Sequence, residues 1–230
     1  MSLLPRLYLR EDGRVSWDFF DRRVCLTSDD VQWCMAQEEF VRVGITEYQK
    51  FEALPIDNDE ILGPHQSFSG SVRQILRDFL ASDSQTLLLL EEDCVFNDVS
   101  HLDAALSELP DDWDILYLGA NLQAWGWENY PPEKYSPHLF RVRSAWTTHC
   151  IGFNKKVVPF LLENQPGLSE VMFDNYLSTH LSKLNAYVTA PMLAHQRPRM
   201  STIWTEADGV TPQFTDYLDV FERSEQMLRN

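Results

Sequence analysis

The run Leu87-Leu88-Leu89-Leu90-Glu91-Glu92-Asp93-Cys94-Val95-Phe96 constrains this chain more than any other stretch. Four leucines in succession read as a strand buried on both faces, the pattern of a central parallel strand. Three acids follow at once, where such a strand would leave the core. Ligands of open α/β sheets sit just beyond the carboxyl ends of these strands. Carboxylates packed this tightly repel one another unless a cation or a proton intervenes. A hard divalent cation bridging to a phosphate would satisfy them.

The rest of the chain alternates strand-like and helix-like segments. Residues 6–17 alternate around Glu11-Asp12-Gly13, a hairpin signal. Arg23 to Leu26 reads as a short strand. A helix follows over about Asp29 to Val41, capped by Thr27 or Ser28 and ended by Gly44. Phe51 to Ile56 reads as a strand, and 57–63 as a polar loop. The spacing of Val72, Ile75, Leu76, Phe79 and Leu80 predicts a helix over about 69–81. His101 to Leu109 reads as a short helix stopped by Pro110. Trp113 to Gly119 is a second buried strand, ending in Gly119-Ala120-Asn121. Residues 121–138 form a long aromatic loop holding Trp125, Trp127, Tyr130 and Tyr135, and long loops are often functional. Leu139 to Ala145 and Thr148 to Phe153 read as a pair of strands. Lys155 to Glu163 and Glu170 to Leu184 read as helices, and Tyr187 to Ala190 as a late strand before Pro191. The expected architecture is a single α/β domain over 1–230, with a mixed, mainly parallel sheet flanked by helices. An N-terminal hairpin extension (1–21) and a C-terminal extension (205–230) complete it.

Composition narrows the function. The chain has 230 residues, 44% of them hydrophobic, with seven Trp, enough for a substantial core. Its formal charge of −16 argues against nucleic acid and against electrostatic attachment to an anionic membrane. Cys25, Cys34, Cys94 and Cys150 lack CxxC spacing, so neither a zinc site nor a disulfide framework is expected. No apolar window reaches membrane-spanning length, and Met1 to Arg10 is broken by Pro5 and Arg6. A cytoplasmic protein is the expectation. No Gly-rich phosphate loop occurs.

Several segments, in order, resemble the family 25 glycosyltransferases, which include lipopolysaccharide-type and collagen galactosyltransferases. The acidic run resembles their Leu-Glu-Asp-Asp-x-x-Phe motif. Pro110 to Gly119 is similar to their Pro-x-x-Trp-Asp-x-x-x-Leu-Gly segment. Thr148 to Phe153, Phe173-Asp174-Asn175-Tyr176-Leu177 and Pro191 to Gln196 followed by Ser201-Thr202-Ile203 resemble later family segments. The resemblance covers roughly residues 22–204. It implies a GT-A type, Rossmann-like domain that binds a nucleotide-sugar with Mn²⁺, or less readily Mg²⁺. It further implies transfer of a hexose from a nucleoside diphosphate sugar, UDP-sugars first, to a glycan hydroxyl. Two family features are missing: an Arg after the first strand, where Cys25 to Asp30 lacks one, and a Ser-His pair, where Ser69-Gly70-Ser71-Val72 stands. Those departures motivate an alternative, a non-catalytic GT-A-like domain binding a glycan or a protein.

The resemblance assigns roles to particular residues. Glu91 and Asp93, two apart on extended backbone, point to one face and would hold metal and diphosphate with Glu92 between them. His195 would be a further metal ligand. Asp174 would be the base that deprotonates the acceptor, giving inversion. Thr27, Gly119 and Asn121 lie at strand ends where nucleotide and sugar bind, the small Gly119 letting a sugar approach the backbone. Arg197, with Arg199, would neutralise diphosphate. His149 is read as structural. Trp125 and Trp127 are candidates for stacking an acceptor sugar.

Overall fold

A computed structural model describes residues 17–55, 63–122, 130–164, 172–200, 214–215 and 217–229. The hairpin expected over 6–17 lies outside the described residues except for Trp17, and so do Trp125 and Trp127. In chain order the elements are β1 (Arg22–Thr27), α1 (Asp30–Val43), β2 (Gln49–Glu52), α2 (Gly63–Ala81), β3 (Thr86–Glu91), β4 (Cys94–Phe96), α3 (Leu102–Glu108) and β5 (Ile115–Asn121). They continue with β6 (Glu133–Lys134), β7 (Leu139–Arg141), β8 (Trp146–Asn154), α4 (Val158–Asn164), α5 (Phe173–His180), β9 (Ala186–Thr189), β10 (Ala194–Gln196), β11 (Arg199–Met200), β12 (Phe214–Thr215) and α6 (Tyr217–Arg229).

The main sheet has eight strands in the order β2-β1-β3-β8-β5-β9-β7-β6. Strands β1, β2 and β3 are mutually parallel, and β5 is parallel to β9. Strand β8 runs against β3 and β5, and β7 runs against β9 and β6. Six strands therefore point one way and two the other, the mixed, mainly parallel sheet that the sequence implies. Strand β3 lies between β1 and β8, and all four of its leucines have no exposed surface. Leu87 and Leu89 pack into a core shared with Val72, Ile75, Leu76 and Phe79 of α2. Leu88 and Leu90 pack on the other face with Phe40 of α1 and Leu102 of α3. A strand pressed by helices from both sides has no position for a polar residue, which accounts for the unbroken run.

Four local expectations need correction. The cap of α1 is Asp29, not Thr27 or Ser28. Its carboxylate accepts the Val31 and Gln32 N–H groups at 2.7 and 2.9 Å, and its extended backbone (φ −138°, ψ 123°) is the N-cap conformation. Gly44 does end the helix, at φ +81°. The segments expected as a pair, β7 and β8, are not partners. The Val142 N–H donates to the Ala186 carbonyl, keeping the chain after β7 alongside β9, while apolar β8 takes a central place between β3 and β5. The helix expected over 170–184 is described from Phe173 to His180 and then tightens into a 3₁₀ turn, Leu181–Lys183. Strand β2 begins two residues before the expected Phe51 and ends at Glu52.

Candidate functional site

The acids following β3 sit at the sheet edge where β1 and β5 also end. After Glu91 the chain turns at Glu92 and Asp93 and re-enters extended structure as β4. Strand β10 pairs antiparallel with β4, setting Gln196 opposite Cys94 and His195 opposite Val95. This short ladder carries Gln196 and Arg197 to the acidic turn. The Arg197 N–H donates to the Asp93 carbonyl at 2.7 Å.

The turn invalidates the two-residue alternation expected of the acids, since that rule holds only on continuous extended backbone. Each acid has a different partner element. Glu91, half-buried, accepts from the Thr148 hydroxyl on β8 at 2.8 Å. Glu92, only 3% exposed, accepts the Ser28 N–H at 2.5 Å and the Ser28 hydroxyl at 3.0 Å, tying the end of β3 to the end of β1. Asp93, 1% exposed, accepts from Gln196 Nε2 at 3.5 Å. His195 turns Nδ1 to Asn97 Oδ1 at 2.8 Å, away from the acids. Burial lowers its pKa. Among the described residues no three His, Cys, Asp or Glu side chains form a group that could hold a metal. Glu91, Asp93 and His195 are therefore not a preassembled three-ligand metal site. The turn between the two acids and the Asn97 contact of His195 are the reasons.

Two further assignments change, those of Thr27 and Gly119. Thr27 is buried and its hydroxyl donates to the Asp29 carbonyl at 3.3 Å, closing the turn into α1. Gly119 is small for the protein's own packing. A Cβ there would lie 2.1 Å from the Ala194 carbonyl oxygen and 2.5 Å from His149 Nε2. Strand β10 and His149 fill the space expected for a sugar. Arg197 directs its guanidinium to Gln32 of α1 at 2.9 Å.

A small, half-open cleft lies beside this edge. Ala120 and Asn121 form its base, and Asn121 is the last residue of β5. Thr147 and His149 of β8 and His195 and Gln196 of β10 form its walls. Val220 and Phe221 of α6 close it. The β5–β8 ladder shifts register twice here, between Tyr117 and Asn121. Thr147 adopts φ +71°, a strained conformation for a β-branched residue. That backbone turn brings the Thr147 hydroxyl within 3.1 Å of His149 Nδ1. His149 is 3% exposed, and burial pushes its pKa down to about 3, outweighing the Ala194 carbonyl facing its ring. It is a neutral, structural histidine that lines a cleft.

Helix α6 docks through polar latches. The Leu122 N–H donates to Ser224 Oγ at 3.1 Å, and the Met192 N–H donates to the buried Glu225 carboxylate. The Phe221 ring lies 5.3 Å from that of His195. The sequence reading missed this helix, although Phe221, Ser224 and Leu228 recur at helical spacing among charged residues. Thr147 was missed too, since positive φ at a threonine has no composition signal.

Asp174 lies outside the cleft lining. It is half-buried in the first turn of α5, where its Oδ1 accepts the Asn175 N–H at 2.8 Å. Its charge adds to burial in raising the Tyr117 phenol on β5.

No protein-family profile matches this chain, and no curated protein does. Solved structures are similar to it only remotely. A197 from STIV is 16% identical with a TM-score of 0.44, over 76% of this chain and 85% of that one. A glycosyltransferase involved in glycosylating the major capsid of PBCV-1 is 10% identical with a TM-score of 0.43, over 89% and 99%. The inositol-1-phosphate CTP transferase from T. maritima is 13% identical with a TM-score of 0.40, over 74% and 85%. Likeness at this level leaves function to be argued from the chain's own residues. No helix among the described residues is long and apolar enough to cross a membrane.

Proposed function

We propose that this protein is a glycosyltransferase that moves a hexose from a nucleoside diphosphate sugar to a glycan hydroxyl. One observation carries the reading. The acidic turn, Gln196 and Arg197 meet at the carboxyl edge of β1, β3 and β5, beside a small cleft, which is the general ligand position of open α/β sheets. The family 25 resemblance of the acidic run and of the Phe173 to Leu177 segment supports the same reading, with UDP-sugars as the first donors to test.

A divalent cation, Mn²⁺ before Mg²⁺, belongs to this proposal as a partner of the diphosphate. The residues do not compose a metal cage of their own. A hard cation of this kind is commonly held by one or two carboxylates together with substrate phosphates. Glu91 is the acid that keeps exposed surface for that purpose. Asp174 is proposed as the acceptor's base, which would give inversion. Arg197 is proposed to meet diphosphate charge, because the N–H groups at the start of α1 are already taken by Asp29.

The test is a thermal-shift panel of nucleotide-sugars with and without Mn²⁺, since a ligand of the native state raises its melting temperature. A cognate donor should stabilise the parent chain, and Glu91→Gln should lose the Mn²⁺-dependent part. Glycosyl transfer or slow donor hydrolysis should vanish in Asp174→Asn with donor binding retained. A full Mn²⁺-dependent shift in Glu91→Gln would refute the assignment of that acid. One observation favours a second reading, a non-catalytic glycan- or protein-binding domain: all three acids already have protein donors. Turnover of any nucleotide-sugar, lost in Asp174→Asn, decides against it.

A further inference from the structure

Helix α2 carries a serine and an arginine whose donor groups the protein itself does not use. The N-terminal half of α2 stands at the carboxyl edge of the sheet. Leu54, two residues past the end of β2, donates its N–H to Ser71 Oγ at 2.9 Å, and Ser67 Oγ donates to the Leu54 carbonyl. Ser67 and Ser71 thus fasten one flank of the helix. Successive helical residues turn by about 100°, which puts Ser69 and Arg73 together on the opposite flank, four residues apart and adjacent. That flank faces α5. Burial pushes the Tyr176 phenol of α5 up, and the positive charge of Arg73 opposes the shift.

Ser69 is 1% exposed, and its Oγ has no hydrogen-bond partner. Arg73 is half-buried, and its Nε is enclosed without a partner. Among the described residues no carboxylate pairs with Arg73, in a chain with 35 Asp and Glu against 19 Lys and Arg. Arg42, Arg141 and Arg197 differ, since each donates to a side-chain acceptor. Buried donors are satisfied as a rule, and one left without an acceptor is costly. A hydroxyl and a guanidinium side by side match a group that only accepts and that carries negative charge. Phosphoryl oxygens do both, and guanidinium binds them with charge-assisted hydrogen bonds.

The position suits such a ligand. Helical side chains lean toward the N-terminus of their helix, so Arg73 reaches back over the turn of Ser69, toward the carboxyl edge. Glu91 belongs to the same side of the sheet. It pairs in register with Leu26, which lies in the core that α2 covers together with Leu87 and Leu89.

We propose that Ser69 and Arg73 form an oxyanion site for a phosphoryl group, Arg73 supplying the opposite charge and Ser69 Oγ a hydrogen bond. Assigning that group to the diphosphate of a sugar donor rests on the transferase reading; phosphoryl binding itself does not.

Isothermal titration of the full chain tests the site, with inorganic pyrophosphate in metal-free buffer, succinate as a dianionic carboxylate, and UDP-glucose with Mn²⁺. Pyrophosphate should bind more tightly than succinate. Arg73→Gln should weaken pyrophosphate by about ten-fold or more, the loss of a hydrogen bond to a charged group, and Arg73→Lys should recover part of that loss. Ser69→Ala should weaken it by about five-fold with the melting temperature retained, because the hydroxyl it deletes has no partner in the protein. The test therefore survives if Arg73→Gln fails to fold. No pyrophosphate binding, equally tight succinate binding, or unchanged pyrophosphate affinity in Ser69→Ala would each overturn the proposal. Pyrophosphate binding without a response to any nucleotide-sugar would uphold the site and defeat the transferase reading. Nucleotide-sugar binding without pyrophosphate binding would do the reverse. UDP-glucose weakened by the same variants assigns the phosphoryl group to the donor, and UDP-glucose unaffected by them assigns the site to free phosphate.

Discussion

Gly119→Ala tests the packing that shapes the site. The new Cβ would stand 2.1 Å from the Ala194 carbonyl oxygen and 2.5 Å from His149 Nε2. The first obstacle is backbone, so relief requires β10 or β5 to shift by about an ångström. Overpacking of this kind costs about 1–3 kcal/mol. Strand β10 is held at this point by the Leu193 N–H donating to the Leu118 carbonyl at 2.7 Å. Straining or losing that bond adds about 1 kcal/mol. The total is about 2–4 kcal/mol, or about 4–16 °C in melting temperature for a chain of this size.

The control is Gly44→Ala, where a Cβ meets nothing within 4 Å but φ is +81°. That strain costs about 1–2 kcal/mol without touching the site. Differential scanning fluorimetry reads both losses, and the nucleotide-sugar panel reads the site. Gly119→Ala should lose stability and weaken nucleotide-sugar binding, because β10 carries Gln196 to the acidic turn. Gly44→Ala should lose stability alone. A Gly119→Ala protein melting within about 2 °C of the parent, with unchanged binding, would show that β10 does not press on β5 as described.

Two further outcomes follow from the core. Leu89→Ala empties a position with no exposed surface and should cost about 2–5 kcal/mol in urea unfolding; a loss below about 1 kcal/mol would contradict the two-sided burial of β3. His149 has a native pKa near 3 against an ordinary 6.5, so its contribution to stability is complete above pH 6.5 and declines as the unfolded chain takes up a proton below it. Unfolding free energy should fall by up to about 1.4 kcal/mol per pH unit between pH 6.5 and 5. His149→Gln should flatten that slope, and an equal slope in the variant would place the titration elsewhere.

Features set by local chemistry or by two-sided burial were legible in the sequence. The leucine strand, the Pro110 stop, the Gly44 helix end and the strand before Pro191 all appear where the residues suggest. The N-cap was misplaced because Thr27, Ser28 and Asp29 are all competent caps and only the backbone at Asp29 decides. Partner choice was not legible. Two segments separated by Trp146-Thr147 look like a hairpin, yet β7 and β8 find different neighbours. Sequence proximity limits which strands can meet, but the best apolar match across the whole sheet settles which do. The same non-locality hid the fates of the acids, since nothing near Glu92 announces Ser28, 64 residues away.

The three acids of the run divide the structural work between them. Glu92 accepts a backbone N–H, and that donor cannot turn away without unravelling the loop between β1 and α1. Asp93 lies beneath Gln196, with its own carbonyl fixed by the Arg197 N–H. Both hold segments together around the site. Glu91 differs because its donor is the Thr148 hydroxyl, which can rotate, and because the residue keeps exposed surface. A cation arriving with a diphosphate could therefore recruit Glu91 at the smallest structural cost. Exchange of one rotatable hydrogen bond is cheaper than leaving a buried N–H unsatisfied. In the proposed transferase the metal role then falls to the first acid of the run, and the other two fix the edge from which it would act.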